Sequence, residues 1–150
     1  MENIKQLKKF WSKKKVFITG HTGFKGSWLS IILTYLDSTV DGYSLKPKKN
    51  SLFNKSTILH KLKSNTYADI NNLIKLKKRI KACKPEIIFH LAAQPLVINS
   101  YKEPLKTLNT NIIGTANLLE SIRNIKTIKS VVIITTDKVY NIKKHNKLYK

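Results

Sequence analysis

The sequence predicts a three-layer α/β/α fold built on a parallel sheet with the strand order 3-2-1-4-5, and three observations predict it. Short β-branched runs alternate with longer segments of helical apolar spacing along most of the 150 residues, a rhythm that produces parallel strands joined by right-handed crossovers. The first run, Val16-Phe-Ile-Thr19, leads directly into a glycine loop, Gly20-His-Thr-Gly-Phe-Lys-Gly26, and then into an apolar helical segment. The last run, Ser130-Val-Val-Ile-Ile-Thr135, is the clearest strand in the chain.

Each element follows from its pattern. Residues 1–15 carry little apolar period beyond Phe10 and Trp11 and read as a lead-in helix or arm. Val16–Thr19 has the continuous apolar character of a buried parallel strand. Trp28, Leu29, Ile31, Ile32, Leu33 and Leu36 give the next segment a broad apolar helical face. Thr39–Tyr43 is the second strand. From Ser44 to Asn65 the pattern is weakest, with Pro47 and a faint helical period at Ile58, Leu59 and Leu62. Asn65–Ile70 supplies a short third strand. Leu73, Leu76, Ile80 and Cys83 share one helical face until Pro85 ends the helix, and Glu86–Leu91 is the fourth strand. Pro104 opens another helix, whose stripe of Leu105, Leu108, Ile112, Leu119 and Ile122 points to a core-facing surface.

Composition narrows the function. A chain with 41% apolar residues can bury one real core, so the reading is an arm over 1–15 and one domain over 16–150. A doubly wound enzyme that also holds a sugar substrate needs a further lobe after the sheet. The domain therefore reads as incomplete at its C-terminal side, with the substrate lobe absent. The single cysteine, Cys83, cannot form an intrachain disulfide, and no apolar run reaches the ~18 to 20 residues of a membrane span. A cytoplasmic protein without a membrane partner is expected. The net charge of +21 raises nucleic acid as a partner. Its lysines are scattered through nearly every segment rather than gathered into an aromatic-interleaved stripe, which argues against that partner.

The glycine loop carries the most specific chemistry. Its first glycine turns the chain off the strand, the middle one lets backbone approach a pyrophosphate, and the last lets helix pack on strand. Free amides at the helix start then face phosphate charge. This makes the domain Rossmann-type, with Gly20, His21, Thr22, Gly23, Phe24, Lys25 and Gly26 as cofactor-binding candidates. The order Lys25-Gly26-Ser27 is the reverse of a P-loop's Gly-Lys-Ser. The acidic residue expected about 20 positions on, for a ribose 2′-hydroxyl, is replaced by Tyr43 and Ser44. Asp41 reads as a surface residue, and Lys46 and Lys48 could accommodate a 2′-phosphate, so NAD and NADP both stay open. Asp69, Ile70, Leu91, Ala92 and Ala93 lie at carboxyl ends of strands, where ligands bind in open α/β sheets. Asp69 could equally cap the following helix. His90 reads as a satisfied core residue rather than a catalytic one. No metal site is expected.

Beyond these features, Gly20–Gly26, Gly42-Tyr-Ser-Leu45, Ser51-Leu-Phe53, Pro85-Glu-Ile-Ile-Phe-His-Leu-Ala-Ala-Gln-Pro-Leu-Val97, Ser100-Tyr-Lys-Glu-Pro104, Thr110-Asn-Ile-Ile-Gly-Thr115 and Thr135-Thr-Asp-Lys138 together resemble the CDP-glucose 4,6-dehydratases. These are extended short-chain dehydrogenase/reductases, and the resemblance runs from about Phe10 to Tyr140. Thr-Asp-Lys in place of Thr-Asp-Glu separates this group from other nucleotide-sugar dehydratases.

The resemblance implies NAD as cofactor, CDP-glucose as substrate, nucleotide-sugar metabolism of the O-antigen type, and a homodimeric full-length enzyme. It implies a cycle in which hydride passes from glucose C4 to NAD, water leaves across C5 and C6, and hydride returns to C6. It assigns Thr110 to the cofactor, Gln94 to the substrate, Thr136 to the C4 oxygen, Asp137 to the acid role and Lys138 to the position of the base. Ordinary pKa values of about 3.9 and about 10.4 oppose the last two roles. Burial would move both usefully, whereas a mutual ion pair would hold both charged. The family's oxidising Tyr-x-x-x-Lys is expected beyond Lys150, because Tyr140-Asn-Ile-Lys-Lys144 has the spacing but follows the fifth strand too closely. Two other readings stand beside this one: a different extended short-chain epimerase or dehydratase, and a nucleotide-binding remnant without turnover.

Overall fold

A computed structural model describes residues 2–136. Five parallel strands form one sheet in the order β3-β2-β1-β4-β5, the order expected from the sequence. The strands are β1 (Lys15–Thr19), β2 (Thr39–Ser44), β3 (Ser64–Tyr67), β4 (Ile87–His90) and β5 (Ser130–Ile133). The helices are α1 (Glu2–Trp11), α2 (Phe24–Tyr35), α3 (Leu52–Lys55), α4 (Leu73–Cys83), α5 (Val97–Lys102), α6 (Pro104–Leu108) and α7 (Gly114–Ile122). None of the described helices is long and apolar enough to cross a membrane.

The sheet is buried on both faces. On one side Phe17, Tyr43, Ile70, Leu76, Ile80, Ile88 and Leu118 form a closed cluster, and on the other Val16, Ile18, Leu33, Val40 and Ile87 form a second. Alternate residues of β1 feed the two clusters because successive strand side chains point to opposite faces. The expected apolar face of α4 is confirmed: Leu76 and Ile80 are fully buried. Lys84, in the left-handed region at φ 47°, ends that helix directly before Pro85.

Two expected apolar faces are only partly used. In α2 the sheet-facing positions are Gly26, Ser27, Ser30 and Leu33, while Trp28 and Ile32 are half exposed. Small residues sit inward because this helix begins on top of the glycine loop and must lie close to it. In the helix after Pro104 the stripe of Leu105, Leu108, Ile112 and Leu119 is largely exposed. The cause is a π-turn over Asn109–Ile113, in which the Gly114 amide donates to the Asn109 carbonyl five residues back. Such a turn inserts one residue into the helical count and rotates the following face, so Gly114, Leu118 and Ser121 take the buried positions instead. Gly114 is where this helix touches the β3–α4 corner: a Cβ there would lie 2.5 Å from Ile70 Cγ2.

The poorly patterned stretch 44–65 holds α3 and a 3-10 turn over Thr57–Lys61. Phe53 and Ile58 are its buried anchors. The N-terminal arm is the helix α1, tied down where the Ser38 hydroxyl donates to the Trp11 carbonyl and Trp11 meets Phe89, ring centroids 6.2 Å apart.

Candidate functional site

The strand order reverses direction between β1 and β4, and the chain leaves these strands toward opposite faces of the sheet. A crevice opens there at the carboxyl edge, the place where doubly wound sheets take ligands. Gly20 begins it at φ 74°, and a Cβ on Gly20 would meet the Ala92 nitrogen at 2.6 Å and the Leu91 oxygen at 2.7 Å. The glycine loop and the β4 exit are thus in backbone contact. At the far end of the loop a Cβ on Gly26 would lie 2.7 Å from His21 Cα. Gly23, by contrast, is exposed in an ordinary extended conformation, with only the Gly20 oxygen near its Cβ position, at 3.3 Å. As the N-cap of α2 it supplies no side chain to the first-turn amides. The result is a narrow backbone cradle, open at Gly23 and floored by Gly20, Gly26 and Ala92. It fits a pyrophosphate by shape and by its amide and dipole chemistry.

The other residues of the loop divide by exposure. Phe24 and Lys25 face solvent at the mouth. The Thr22 hydroxyl donates to the Leu45 carbonyl at 2.9 Å and lies 2.8 Å from Ser44 Oγ, fastening the loop to the end of β2. The His21 side chain is fully buried beneath the loop. Its Nε2 lies 2.7 Å from Asn65 Oδ1, its ring meets Phe53 edge-on, and a Cβ on Gly42 would touch it. His21 therefore offers the crevice its backbone alone. Ile70 likewise spends its side chain in the core against Gly114. The Asp69 carboxylate is exposed and accepts from the Asn71 amide at 2.8 Å; the cap of α4 is Asn72, not Asp69.

Gln94 is already committed within its own loop. Its carboxamide donates to the Leu96 carbonyl and to Thr107 Oγ1, at 3.1 and 3.0 Å, and accepts from the Leu96 amide at 2.8 Å. Ala93 is exposed beside it, and Thr110 is half buried on the π-turn. Thr136 is exposed just beyond β5. Asp137, Lys138 and the Tyr140–Lys144 pair lie outside the described residues.

Asp41 is a correction to the surface reading. It is 6% exposed and accepts from the Ser64 hydroxyl, which in turn accepts from Arg79 Nη2 at 2.6 Å. A carboxylate near the β2–β3 pairing is buried because these partners satisfy it. Burial, reinforced by Asp41, pushes the neighbouring Cys83 thiol up to about 11, so it stays protonated and inert.

Thr19, Asn111 and Thr115 escape a reading of sequence alone. Thr19 and His90 pair across β1 and β4, each the polar last residue of an otherwise apolar strand. That shared placement is the signal that could have found them. Burial lowers the His90 pKa from 6.5 to about 4 and lowers that of His21 as well. An unfolded chain protonates both imidazoles near 6.5 while the folded one resists, so their contribution is fully present above 6.5 and is lost as pH falls toward 4. For His90 the difference corresponds to about 3 kcal/mol at most. Urea denaturation across this window is expected to show that fall, and a flat stability would contradict the buried, neutral state of His90.

With this geometry in place, a comparison with known proteins is decisive. The family model described as GDP-mannose 4,6 dehydratase matches residues 17–146. The chain belongs to this family. Among curated members and relatives, it is 50% identical over 135 residues to the CDP-glucose 4,6-dehydratase of Salmonella typhimurium, covering 89% of this chain and 37% of that one. The chain thus spans little more than a third of that GDP-mannose 4,6 dehydratase family relative. The UDP-glucose-4-epimerase of Stenotrophomonas maltophila, solved with bound NAD, shares the fold with a TM-score of 0.76 and 22% identity, covering 90% of this chain and 40% of that one. MoeE5, solved in complex with UDP-glucose and NAD, has a TM-score of 0.69 and 26% identity, covering 85% and 38%.

Proposed function

We propose that this chain is the dinucleotide-binding part of a CDP-glucose 4,6-dehydratase, with residues 16–150 as its NAD domain and 1–15 as an N-terminal extension. The observation that carries the reading is the backbone cradle of Gly20, Gly23 and Gly26 against Leu91 and Ala92, set in a sequence half identical to such an enzyme. NAD rather than NADP is the proposed cofactor, supported by the NAD named in the titles of the fold neighbours. Bound NAD would supply reversible acceptance of hydride from the sugar.

The chain's own residues do the rest of the work in this reading. The Gly23–Gly26 amides hold the pyrophosphate, and Ala92 and Ala93 leave room beside it. The Thr22 and Ser44 hydroxyls, joined at 2.8 Å, stand at the end of β2 where an acidic residue would otherwise meet the ribose. Gln94 shapes the loop on the substrate side. Thr136 hydrogen-bonds at the C4 oxygen, Asp137 protonates the departing C6 hydroxyl, and Lys138 occupies the place of the C5 base. The substrate is CDP-glucose, the setting cytoplasmic nucleotide-sugar metabolism serving O-antigen synthesis, and the complete enzyme a homodimer.

The test is a titration of the purified chain with NAD and NADP, followed by an assay with CDP-glucose. NAD is expected to bind more tightly than NADP, and no 4-keto sugar is expected from a chain covering about a third of its relative. Gly23→Val, which leaves the backbone unstrained but fills the cradle's mouth, should weaken NAD binding by roughly a hundredfold, about 3 kcal/mol, with the thermal midpoint held. Unchanged NAD affinity in that variant would remove the phosphate-loop assignment.

A further inference from the structure

Between the two halves of the crevice runs one unbroken line of hydrogen bonds. The Ala92 amide donates to Thr19 Oγ1 at 3.3 Å, Thr19 Oγ1 lies 2.6 Å from His90 Nδ1, His90 Nε2 lies 3.0 Å from Thr115 Oγ1, and the Thr115 hydroxyl donates to the Asn111 carbonyl at 2.7 Å. Counting protons gives the line a direction. Thr115 has one hydroxyl proton and gives it to Asn111, so His90 Nε2 must be the N–H that donates to Thr115. In the neutral ring Nδ1 is then bare and accepts from Thr19, whose oxygen accepts from Ala92. Every donor and acceptor in the buried line is used once in a consistent sense.

The two ends of this line are informative. Ala92 is the residue against which Gly20 packs. Asn111 sits in the π-turn, and its side chain grips the β4 exit loop from both sides: Oδ1 accepts from the Gln94 amide at 2.8 Å and Nδ2 donates to the Gln94 carbonyl at 3.2 Å. The line therefore connects the floor of the phosphate cradle to the loop on its other side.

We propose that His90, through its Nε2–H tautomer, is a positioning residue that sets the spacing between the glycine loop and the Gln94 loop, and so the width of the crevice between them. The ligand named for that crevice rests on the dinucleotide reading; the tie itself does not. A protein without this line would keep its sheet, because β1 and β4 are paired along their length, but would lose the fixed gap.

The experiment uses the full chain. Long-range proton–nitrogen NMR at neutral pH is expected to show His90 with Nε2 protonated and Nδ1 bare. Thr115→Val keeps shape and removes the hydroxyl, His90→Phe keeps a ring and removes both bonds, and His90→Gln restores one donor. Thr115→Val and His90→Phe should each speed hydrogen exchange at the Gln94 amide by roughly tenfold, the loss of one buried hydrogen bond, and weaken NAD binding to a similar degree. Exchange in β1 and β2 should not change, and His90→Gln should recover most of both effects. If His90→Phe does not fold, Thr115→Val carries the comparison. An Nδ1–H tautomer, an unaltered Gln94 amide in Thr115→Val, or equal defects in His90→Gln and His90→Phe would overturn the proposal. Failure of the unmodified chain to bind NAD would defeat the dinucleotide reading instead, and Gln94 exchange would still decide the positioning role.

Discussion

Gly26→Ala is expected to destabilise the chain by about 3 kcal/mol, at the upper end of what one added methyl group costs in a packed interior. The added Cβ would lie 2.7 Å from His21 Cα, with the Gly20 carbonyl closer still. Both neighbours are backbone, so no rotamer change can relieve the contact. Relief requires lifting the start of α2 off the loop, which also pulls Ser30 and Leu33 from their buried positions. Urea denaturation measures the cost, with Gly23→Ala as the control: its Cβ would meet only the Gly20 oxygen, at 3.3 Å, and is expected to cost under about 0.5 kcal/mol. Equal stability of the two variants would mean that α2 does not pack on the loop as described.

Leu118→Ala is expected to cost about 3 kcal/mol, whereas Leu119→Ala should cost less than about 0.5 kcal/mol. The two leucines are adjacent in sequence and chemically identical, so intrinsic helix propensity cancels from the comparison. Leu118 is fully buried among Phe17, Ile70, Leu76, Ile80 and Ile88, while Leu119 is 46% exposed. Removing the Leu118 side chain leaves a cavity walled by the sheet and α4; removing that of Leu119 leaves water. Thermal or urea unfolding of the two variants reads the phase of the helix directly. Reversed magnitudes would show that the π-turn does not set that phase, and would return the Leu105–Leu119 stripe to the core.

This contrast shows where sequence reading succeeds and where it stops. The α4 stripe of Leu76 and Ile80 obeys the ordinary helical period without interruption, and its face is legible. The stripe after Pro104 has the same appearance in sequence, but one inserted residue between Asn109 and Gly114 turns it away from the sheet. In α2 the same limit appears in another form: its large residues Trp28 and Ile32 suggest a core face that belongs to Gly26, Ser27 and Ser30. Apolar spacing reports which residues could be buried, while the closeness of neighbouring backbone decides which are.

The candidate site divides in the same way. The glycine loop and the Leu91–Ala93 segment are readable because they depend on local requirements: a positive φ at Gly20, small residues for close approach, and strand ends placed by alternation. His21, Ile70 and Gln94 share those segments, yet their side chains are committed to Asn65 and Phe53, to Gly114, and to Leu96 and Thr107. Asp41 was read as a surface residue because nothing nearby in sequence announces Ser64 and Arg79 as its surroundings.

By itself, then, the sequence determined the fold class, the order of the five strands and the position of the phosphate cradle, since each rests on short-range patterns of glycine, apolar period and turn. Only the tertiary structure decided which face of each helix is buried and how His90 is held between Thr19 and Thr115. Those outcomes depend on contacts between residues tens of positions apart, whose geometry is set when the sheet closes and the helices settle on it.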